Sequence, residues 1–248
     1  MNPGDPHPDW QERSIQLFGT ESHKRLEQSN VLVAGMGGVG SMAAEMICRS
    51  GVGRMTIIDA DTIQPSNINR QIPATHATID QEKVVVMGER LMEINPGLKL
   101  TVINEFIKEE RIPEILEEPF DYVVDAIDTL SPKIYLIYHT VIRGLKLASS
   151  MGSGGKVDPS QIEVTDFGKT YNCRLAYILR KKLRKLDVHG GFKVVFSTEQ
   201  VPREMIIPVE GEPNKKSTVG TSSYIPAIFG CTLASIVIRE LTAGTTDG

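Results

Sequence analysis

The amino-acid sequence predicts an α/β protein with a doubly wound, Rossmann-like and mostly parallel sheet, followed by a C-terminal extension of strands and helices. Short apolar runs that are typical of buried strands alternate with helix-like segments from residue 31 to residue 150. A glycine-rich turn at residues 35–40 joins the first such strand to the first helix. The alternation continues through five strands, and the pattern changes after Met151.

Each element before residue 150 is predicted by its own pattern and its own stop signals. Strands are expected at residues 31–35, 54–59, 98–106, 122–127 and 146–150. Helices are expected at residues 38–50, about 81–94 and 132–143, with one more Pro-bounded helix before the fourth strand. Gly51 closes the first helix, and the run Asn-Pro-Gly at 95–97 stops the second.

The second half is predicted to add further elements to the same domain. An alternating edge strand at 161–167 follows a glycine-rich turn, and a helix at 173–186 and a strand at 192–198 come next. A loop at 208–222 is rich in Gly, Pro, Ser and Lys, so we expect it to be mobile or to contact substrate. A mostly apolar helix at 225–241 closes the chain.

The composition indicates a globular chain of enzyme size. With 248 residues, of which 40% are hydrophobic and 23% charged, it resembles neither a disordered nor a membrane-embedded protein. No uninterrupted apolar run approaches the roughly 18 residues of a membrane span, and the N-terminus lacks the basic and apolar regions of a signal peptide. We therefore expect a cytoplasmic location and no membrane partner.

The three cysteines are far apart in the sequence. Cys48, Cys173 and Cys231 form no CxxC pair, so neither a structural zinc site nor a disulfide framework is indicated. Cys48 and Cys231 are expected to be small core residues, because both stand in helix-like apolar segments. Only Cys173 has polar and basic neighbours.

The turn Gly-Met-Gly-Gly-Val-Gly has the composition and the setting of a nucleotide-phosphate loop. Gly35 permits the tight turn, and Gly37, next to Gly38, lets backbone N–H groups approach the phosphates. Gly40 lets the following helix pack closely on the strand, so the phosphates would lie at a helix N-terminus. Asp59 ends the second strand about 20 residues later, where a carboxylate binds ribose hydroxyls. These features fit NAD and ATP equally.

Polar residues beyond the second strand favour ATP. Asn67 and Arg70 are three residues apart, so one helical turn would direct both side chains to one face and toward a phosphate chain. Lys83 could neutralise phosphate, and Asp128, at the carboxyl end of a strand, could hold Mg²⁺. Taken singly, these residues are better explained by a capped surface turn, a solvated lysine and a helix-capping aspartate. Together with the glycine loop and Asp59, they predict an ATP and Mg²⁺ site.

The same motifs resemble the ubiquitin-activating-enzyme-like superfamily, whose bacterial members adenylate the C-termini of small sulfur-carrier proteins. The resemblance lies in GMGGVG, in DAD at 59–61, in SNINRQ at 66–71, in Lys83 and in DAIDT at 125–129. It implies a nucleotide site that includes Asp59 at the ribose and Asp61 beside it. It further implies phosphate contacts for Asn67, Arg70 and Lys83, and magnesium at Asp128.

The resemblance also implies a homodimer. In that superfamily an arginine near the N-terminus, usually from the other subunit, reaches the phosphates, and Arg13 stands in the matching place. The chain departs from the sulfur-carrier adenylyltransferases in one respect, because it lacks their paired CxxC motifs and any sulfurtransferase-like extension.

The second half is similar to the tRNA threonylcarbamoyladenosine dehydratase subfamily. The similarity lies in GGKVDPSQI at 154–162, DFGKT at 166–170 and VVFSTE at 194–199, so it extends over about residues 13–242. It implies that ATP activates the carboxylate of a threonylcarbamoyl group on an adenosine beside a tRNA anticodon, and that the group then cyclises with loss of water. Some members carry a cysteine implicated in sulfur relay before the last helix. This chain has none there, which puts a sulfur-relay partner in doubt.

Basic charge is concentrated in one segment. Residues 169–193 contain eight Lys or Arg and one acid, so this segment carries +7 while the remainder carries −11. An apolar stripe from Leu175 to Leu186 would leave most of the cations outward, namely Arg174, Lys181, Lys182, Arg184 and Lys185. Contact with tRNA phosphates and a merely solvated basic helix explain this pattern equally well.

The leading hypothesis is an adenylate-forming enzyme that acts on the threonylcarbamoyl carboxylate of tRNA. Alternatives are activation of a sulfur carrier that ends in Gly-Gly, a non-catalytic nucleotide-gated tRNA-binding module, and, last, a nicotinamide oxidoreductase. The expected organisation is a disordered tail at 1–12, a Rossmann-like ATP-binding region at 13–150, a substrate-binding extension of the same domain at 151–242, and a flexible tail at 243–248.

Overall fold

The computed structural model describes residues 9–202, 204, 206–208 and 217–243. The strands are β1 (Asn30–Ala34), β2 (Arg54–Ile58), β3 (Lys99–Ile103), β4 (Tyr122–Asp125), β5 (Leu147–Ser150), β6 (Ile162–Asp166), β7 (Lys193–Ser197), β8 (Ile206–Pro208) and β9 (Ser217–Val219). The helices are α1 (Glu12–Phe18), α2 (Thr20–Gln28), α3 (Gly40–Arg49), α4 (Lys83–Ile94), α5 (Arg111–Ile115), α6 (Leu130–Ile142), α7 (Arg174–Leu183) and α8 (Tyr224–Thr242).

Seven strands form one sheet in the order β3-β2-β1-β4-β5-β7-β6. All neighbours are parallel except β6, which pairs antiparallel with β7 at the edge. The central strand β1 is paired on both sides, and its Val33 lies opposite Ile57 of β2 and Val124 of β4. The chain therefore winds outward in both directions from β1, which confirms the predicted doubly wound fold.

Helices cover both faces of the sheet. On one face α3, α4 and α8 bury residues such as Ile47, Leu91 and Phe229 against the strands. On the other face α5, α6 and α7 bury residues such as Ile112 and Leu179. Strands buried on both faces need apolar side chains at successive positions, which explains the continuous run Val-Leu-Val-Ala in β1.

The last helix is a core element. α8 packs along α3 so closely that a Cβ added at Gly230 would collide with the Val39 carbonyl oxygen. With 19 residues and a mean hydropathy of 1.5, α8 is long and apolar enough to span a membrane, but 56% of that window is buried inside the protein. The core of this domain explains its apolar character without a bilayer.

The N-terminal region differs from the prediction. A 3₁₀ turn at Asp9–Gln11 and the start of α1 occupy residues that we expected in a disordered tail, while residues 1–8 lie outside the described part. α1 buries no residue, and α2 buries only His23 and Leu26. Such sparse apolar contacts leave no helical periodicity for sequence analysis to detect.

Several predicted boundaries in the second half also change. The helix expected at 173–186 ends at Leu183, continues as a 3₁₀ turn at Arg184–Leu186, and is closed by Asp187 in the left-handed conformation with φ 61°. Part of the loop expected at 208–222 pairs instead, because β9 forms an antiparallel ladder with β8. Residues 209–216 and 244–248 lie outside the described part.

The exposure of one of the three cysteines differs from the prediction. Cys48 is buried as expected, whereas Cys231 is exposed on the outer side of α8, so its prediction as a core residue was wrong. Cys173 is buried despite its polar neighbours in the sequence. Burial raises the pKa of the Cys48 thiol to about 12, which keeps it protonated and unreactive at neutral pH.

Candidate functional site

A cleft of about 470 Å³ opens at the carboxyl ends of the central strands. It lies above β1 and β4, where strand order reverses and loops from the two halves of the sheet diverge. Eight of the predicted site residues line it: Gly35, Gly37, Gly38, Asp59, Asp61, Arg70, Lys83 and Asp128. The fold thus brings together residues that are up to 93 positions apart in the sequence.

The glycine loop needs glycine at two positions for steric reasons. Gly35 has φ 94°, and a Cβ there would lie 2.8 Å from the carbonyl oxygen of Ala126 on the neighbouring loop. Gly40 is buried below the cleft, and a Cβ there would collide with the Gly35 carbonyl oxygen. The loop between them is therefore compact enough for Gly37 and Gly38 to form the cleft surface.

Asp59 organises the loop that it faces. Its Oδ2 accepts a hydrogen bond from the Met36 N–H at 2.5 Å, and its Oδ1 accepts one from the Asp61 N–H at 2.8 Å. Burial raises the pKa of the Asp59 carboxyl, although the Lys83 ammonium opposes this effect. Each oxygen keeps a second lone pair for a ribose hydroxyl, so the geometry is compatible with the predicted contact.

Lys83 begins α4 and its ammonium lies in the cleft. The side chain is only 7% exposed, and Nζ lies 2.7 Å from Oδ2 of Asp61, which is 70% exposed. The backbone adds a second tie, because the Lys83 N–H donates to the Asp61 carbonyl at 3.0 Å. Asp61 therefore holds the cation at the wall of the cleft, where an anion could approach it from the open side.

Asn67 ends the short 3₁₀ turn Pro65–Asn67 and Arg70 lies in the turn that continues it, but their side chains take different positions. Asn67 is buried, and its Oδ1 accepts the Gln64 N–H at 3.0 Å as part of a cap, so it does not line the cleft. Arg70 does line the cleft, and its Nη1 donates only to Ser66 O at 2.9 Å and Asn69 Oδ1 at 2.8 Å. Arg70 has no carboxylate partner among the described residues, so its charge is available to a phosphate.

Gln71 is a cleft residue that sequence reasoning missed. It is 8% exposed and lines the cleft, and its Oε1 has no hydrogen-bond partner among the described residues. A buried acceptor without a partner is costly, so a ligand donor would relieve it. Its position next to Arg70 in SNINRQ was the signal that could have identified it.

Asp128 projects into the cleft from a loop that a buried ion pair holds in place. Asp125 and Lys133 are fully buried, with Nζ and Oδ2 2.6 Å apart. Lys133 also donates to the Ile127 carbonyl at 3.0 Å, and the Ile127 N–H donates to Asp125 Oδ1 at 3.2 Å. No local pattern in the sequence predicts this pair. Asp125 ends β4 and Lys133 lies in α6, and only the folded chain brings their side chains together.

The extension supplies a further part of the cleft wall. Residues 151–154 after β5, Leu175 of α7, Val219 of β9 and Thr221 all line the cleft. Asn69 donates to the Thr221 carbonyl at 2.9 Å, so the turn that carries Arg70 is joined to this wall. A nucleotide at the glycine loop would therefore share the cleft with whatever the extension binds.

The cleft does not include Arg13 and offers only a limited ligand set for the predicted metal ion. Arg13 is exposed on α1 and is not a cleft residue. Among the described residues no group of three or more His, Cys, Asp or Glu could enclose a metal ion. Asp128 alone still fits Mg²⁺, because this ion is commonly held by one or two carboxylates together with substrate phosphates.

The arrangement suits chemistry on a phosphate chain. Two cations, Arg70 and Lys83, face the same space as the carboxylates Asp59 and Asp128. Cations placed where charge develops stabilise a pentacovalent phosphorus and a departing pyrophosphate. No side-chain nucleophile is needed if the second reactant is a carboxylate held against the extension wall.

Comparison with known proteins gives a consistent result. The ThiF family model matches residues 11–247. The tRNA threonylcarbamoyladenosine dehydratase of Bacillus subtilis is 36% identical over 236 residues, which is 92% of this chain and 93% of that protein. The crystal structure of the Escherichia coli enzyme, TcdA, with ATP superposes with a TM-score of 0.87 at 31% identity and 97% coverage of both chains. The structure with AMP gives a TM-score of 0.85 at 31% identity, covering 96% of this chain and 97% of the other.

Proposed function

The chain belongs to the ThiF family, and from this premise we propose that it is an ATP-dependent tRNA threonylcarbamoyladenosine dehydratase. The Bacillus subtilis and Escherichia coli relatives that carry this name match it over 93% and 95% of their length. The observation that carries the proposal is the shared cleft, which is lined both by the phosphate-type loop with its cations and by residues of the extension. A nucleotide and a second substrate can meet there.

The reaction follows from the groups in the cleft. The threonylcarbamoyl carboxylate attacks the α-phosphorus of ATP, the α–β phosphoanhydride bond breaks, and pyrophosphate leaves. An atom of the carbamoyl group then attacks the activated carbonyl carbon, one N–H proton of that group is released, and AMP leaves with one of the original carboxylate oxygens. The net change in the nucleoside is the loss of one water, and Arg70 and Lys83 stabilise the negative charge that moves onto the phosphates.

We assign the remaining contacts as part of this proposal. Asp59 binds the ribose, Gly37 and Gly38 lie against the phosphates, and Asp128 holds Mg²⁺ together with phosphate oxygens. Asn67 contributes by shaping the turn that carries Arg70, since its amide oxygen already caps that turn. Magnesium would supply charge neutralisation when it is bound.

The assembly that we propose is a homodimer in the cytoplasm. Arg13 does not line the cleft of its own chain, so a phosphate contact requires it to come from a second copy. A cytoplasmic location follows from the tRNA substrate. We include no sulfur-relay partner, because Cys48 and Cys173 are buried and burial raises the pKa of the Cys231 thiol.

The proposal is tested with the purified protein, ATP, Mg²⁺ and tRNA that bears threonylcarbamoyladenosine. Mass spectrometry of the digested nucleosides should show loss of one water from that nucleoside, and omission of ATP should prevent it. Arg70→Ala should lose the conversion by at least about a hundredfold. Arg143→Ala, which removes an exposed arginine at the end of α6, is the matched control and should convert tRNA normally.

An unchanged nucleoside would contradict the proposal. Pyrophosphate exchange that depends on a carrier peptide ending in Gly-Gly, and not on tRNA, would instead support sulfur-carrier activation. Stable binding of tRNA without any modification in the presence of ATP would support a binding module.

A further inference from the structure

An outward-facing stripe of α7 combines three cations with an exposed aromatic ring. Arg174, Tyr177 and Lys181 of α7, and Arg184 of the following turn, are spaced at i, i+3, i+7 and i+10. Residues at this spacing lie on one side of a helix. We refer to these four residues as the α7 stripe. All four are exposed, and the opposite side of the helix is buried through Ala176, Leu179 and Leu183.

The cations of the α7 stripe are not neutralised by the protein. Arg174, Lys181 and Arg184 have no ion-pair partner among the residues that the structure describes. Arg180 differs from them, because it turns inward and donates to the Thr170 hydroxyl. The three cations that point outward thus form a charged surface that is open to a polyanion.

Tyr177 is unusual on such a surface. Its side chain is 61% exposed, although burying an aromatic ring is strongly favourable. A tyrosine ring between cations is the combination that binds unpaired nucleic acid, since cations contact the phosphates and an aromatic face stacks on a base.

The α7 stripe starts at the cleft and leads away from it. Leu175, in the first turn of α7, lines the cleft, and a Cβ at Gly152 of the cleft wall would lie 3.8 Å from the Leu175 Cβ. With a rise of about 1.5 Å per residue, the stripe extends roughly 15 Å from this rim. A strand of RNA that delivers a nucleoside into the cleft would therefore pass along it.

We propose that the α7 stripe binds the RNA strand next to the modified adenosine, and that Tyr177 stacks on an unpaired neighbouring base. The inference rests on the proposed function and names the route of its RNA substrate. To reach the cleft, the adenosine must leave its stack, so an adjacent base loses a stacking partner. Tyr177 replaces that partner, while Arg174, Lys181 and Arg184 neutralise the phosphates.

The test measures binding of the full chain to a hairpin RNA and to a blunt duplex of the same length, over a range of salt concentrations. Tyr177→Ala should weaken hairpin binding by about five- to 150-fold, the range expected for loss of one stacked base, and should leave duplex binding unchanged. Tyr177→Phe should restore the wild-type affinity, because the ring and not the hydroxyl is required.

Charge variants provide the second arm. Arg174→Ala, Lys181→Ala and Arg184→Ala combined should reduce the slope of log K against log salt by about two to three. The matched control removes the same charge from the amino-terminal ends of the parallel strands, away from the cleft at their carboxyl ends, where Arg54 and Lys99 begin β2 and β3 and Lys146 precedes β5. This control triple should leave the slope unchanged.

Turnover separates this inference from the proposed function. If the wild-type protein removes no water from modified tRNA, the proposed function is contradicted. The hairpin and duplex binding measurements then decide by themselves whether the α7 stripe binds RNA. If the wild type converts tRNA, Tyr177→Ala should raise the KM for tRNA with unchanged kcat, since the ring does not touch the reacting atoms. An unchanged KM, or equal weakening of hairpin and duplex by Tyr177→Ala, would overturn the inference.

Discussion

Individual residues in the cleft act mostly through each other. Asp61 holds Lys83, Asp59 fixes the backbone of the glycine loop, and the Asn67 amide caps the turn that carries Arg70. Among the described residues that line the cleft, Arg70, Asp59 and Asp128 form no ion pair, and the carboxylate of Asp59 is held by backbone N–H groups instead. The residues that we propose to contact ATP are therefore supported by neighbours whose roles are structural.

The buried pair of Asp125 and Lys133 leads to a prediction about the stability of the fold. Lys133→Met should destabilise the fold by about 3–5 kcal/mol, because it leaves the Asp125 carboxylate buried without a counter-charge. Urea unfolding measures the change. The double variant Asp125→Asn and Lys133→Met should recover part of the loss, since no charge then remains to be buried.

Lys146→Met is the control for that prediction. It removes an exposed lysine that precedes β5, and it should change the stability by less than about 0.5 kcal/mol. A Lys133→Met variant as stable as this control would contradict the role assigned to the pair.

Cleft residues that stand in local motifs could be predicted from the sequence. The glycine loop, Asp59, Lys83 and Asp128 were predicted because each follows a strand or begins a helix, and carboxyl ends of parallel strands share one edge. Arg70 was predicted from its spacing of three residues from Asn67. Gln71 and Asp125 were missed, because their importance depends on burial and on partners that only the folded chain brings close.

At the scale of elements, α3 and α4 are joined by a charged contact. Glu45 of α3 has a 6% exposed side chain, and it accepts hydrogen bonds from Arg90 of α4 at 2.6 and 3.2 Å and from Arg49 at 2.8 Å. Burial by itself would raise the pKa of the Glu45 carboxyl, but the two guanidinium groups outweigh it and lower the pKa below its usual value.

The sign of this shift predicts the pH dependence. A carboxyl whose pKa is lower in the folded state contributes stability above its unfolded pKa, and the contribution is lost as pH falls through the folded pKa. Glu45→Gln should therefore lower the free energy of unfolding by about 1–3 kcal/mol at pH 7. The difference from wild type should shrink in acid below the unfolded pKa of roughly 4.3. A difference independent of pH would contradict the ionic origin.

The sequence did not predict elements whose apolar residues are too few to form a recognisable periodic pattern. The strands of the parallel sheet and the helices between them were predicted because their apolar runs are continuous or periodic. α1 and α2 were not, since together they bury only His23 and Leu26. β8 and β9 have three residues each, too few for an alternating pattern to be recognised.

At the scale of the whole molecule, the proposed dimer makes a specific prediction about Arg13. Arg13→Ala and Arg70→Ala should each abolish activity alone. If Arg13 serves the other subunit, a mixture of the two variants after subunit exchange should regain about a quarter of wild-type activity, since half the dimers are mixed and each has one complete site. Water loss from modified tRNA measures this recovery.

The control is the same mixture assayed before the subunits have had time to dissociate and exchange. This unexchanged mixture should stay inactive. Absence of recovery after confirmed exchange would show that Arg13 acts within its own chain, or not at all. Sequence alone could not decide this point, because one chain carries no information on which copy an exposed helix meets.

The central claim is that the cleft joins ATP to a carboxylate through the α-phosphorus. The most direct test labels the threonylcarbamoyl carboxylate of the tRNA with oxygen-18 and follows the label through one turnover. Our account predicts that AMP acquires one labelled oxygen, because the carboxylate oxygen that attacks the α-phosphorus leaves with it. Unlabelled AMP, or label in inorganic phosphate or in water, would contradict it.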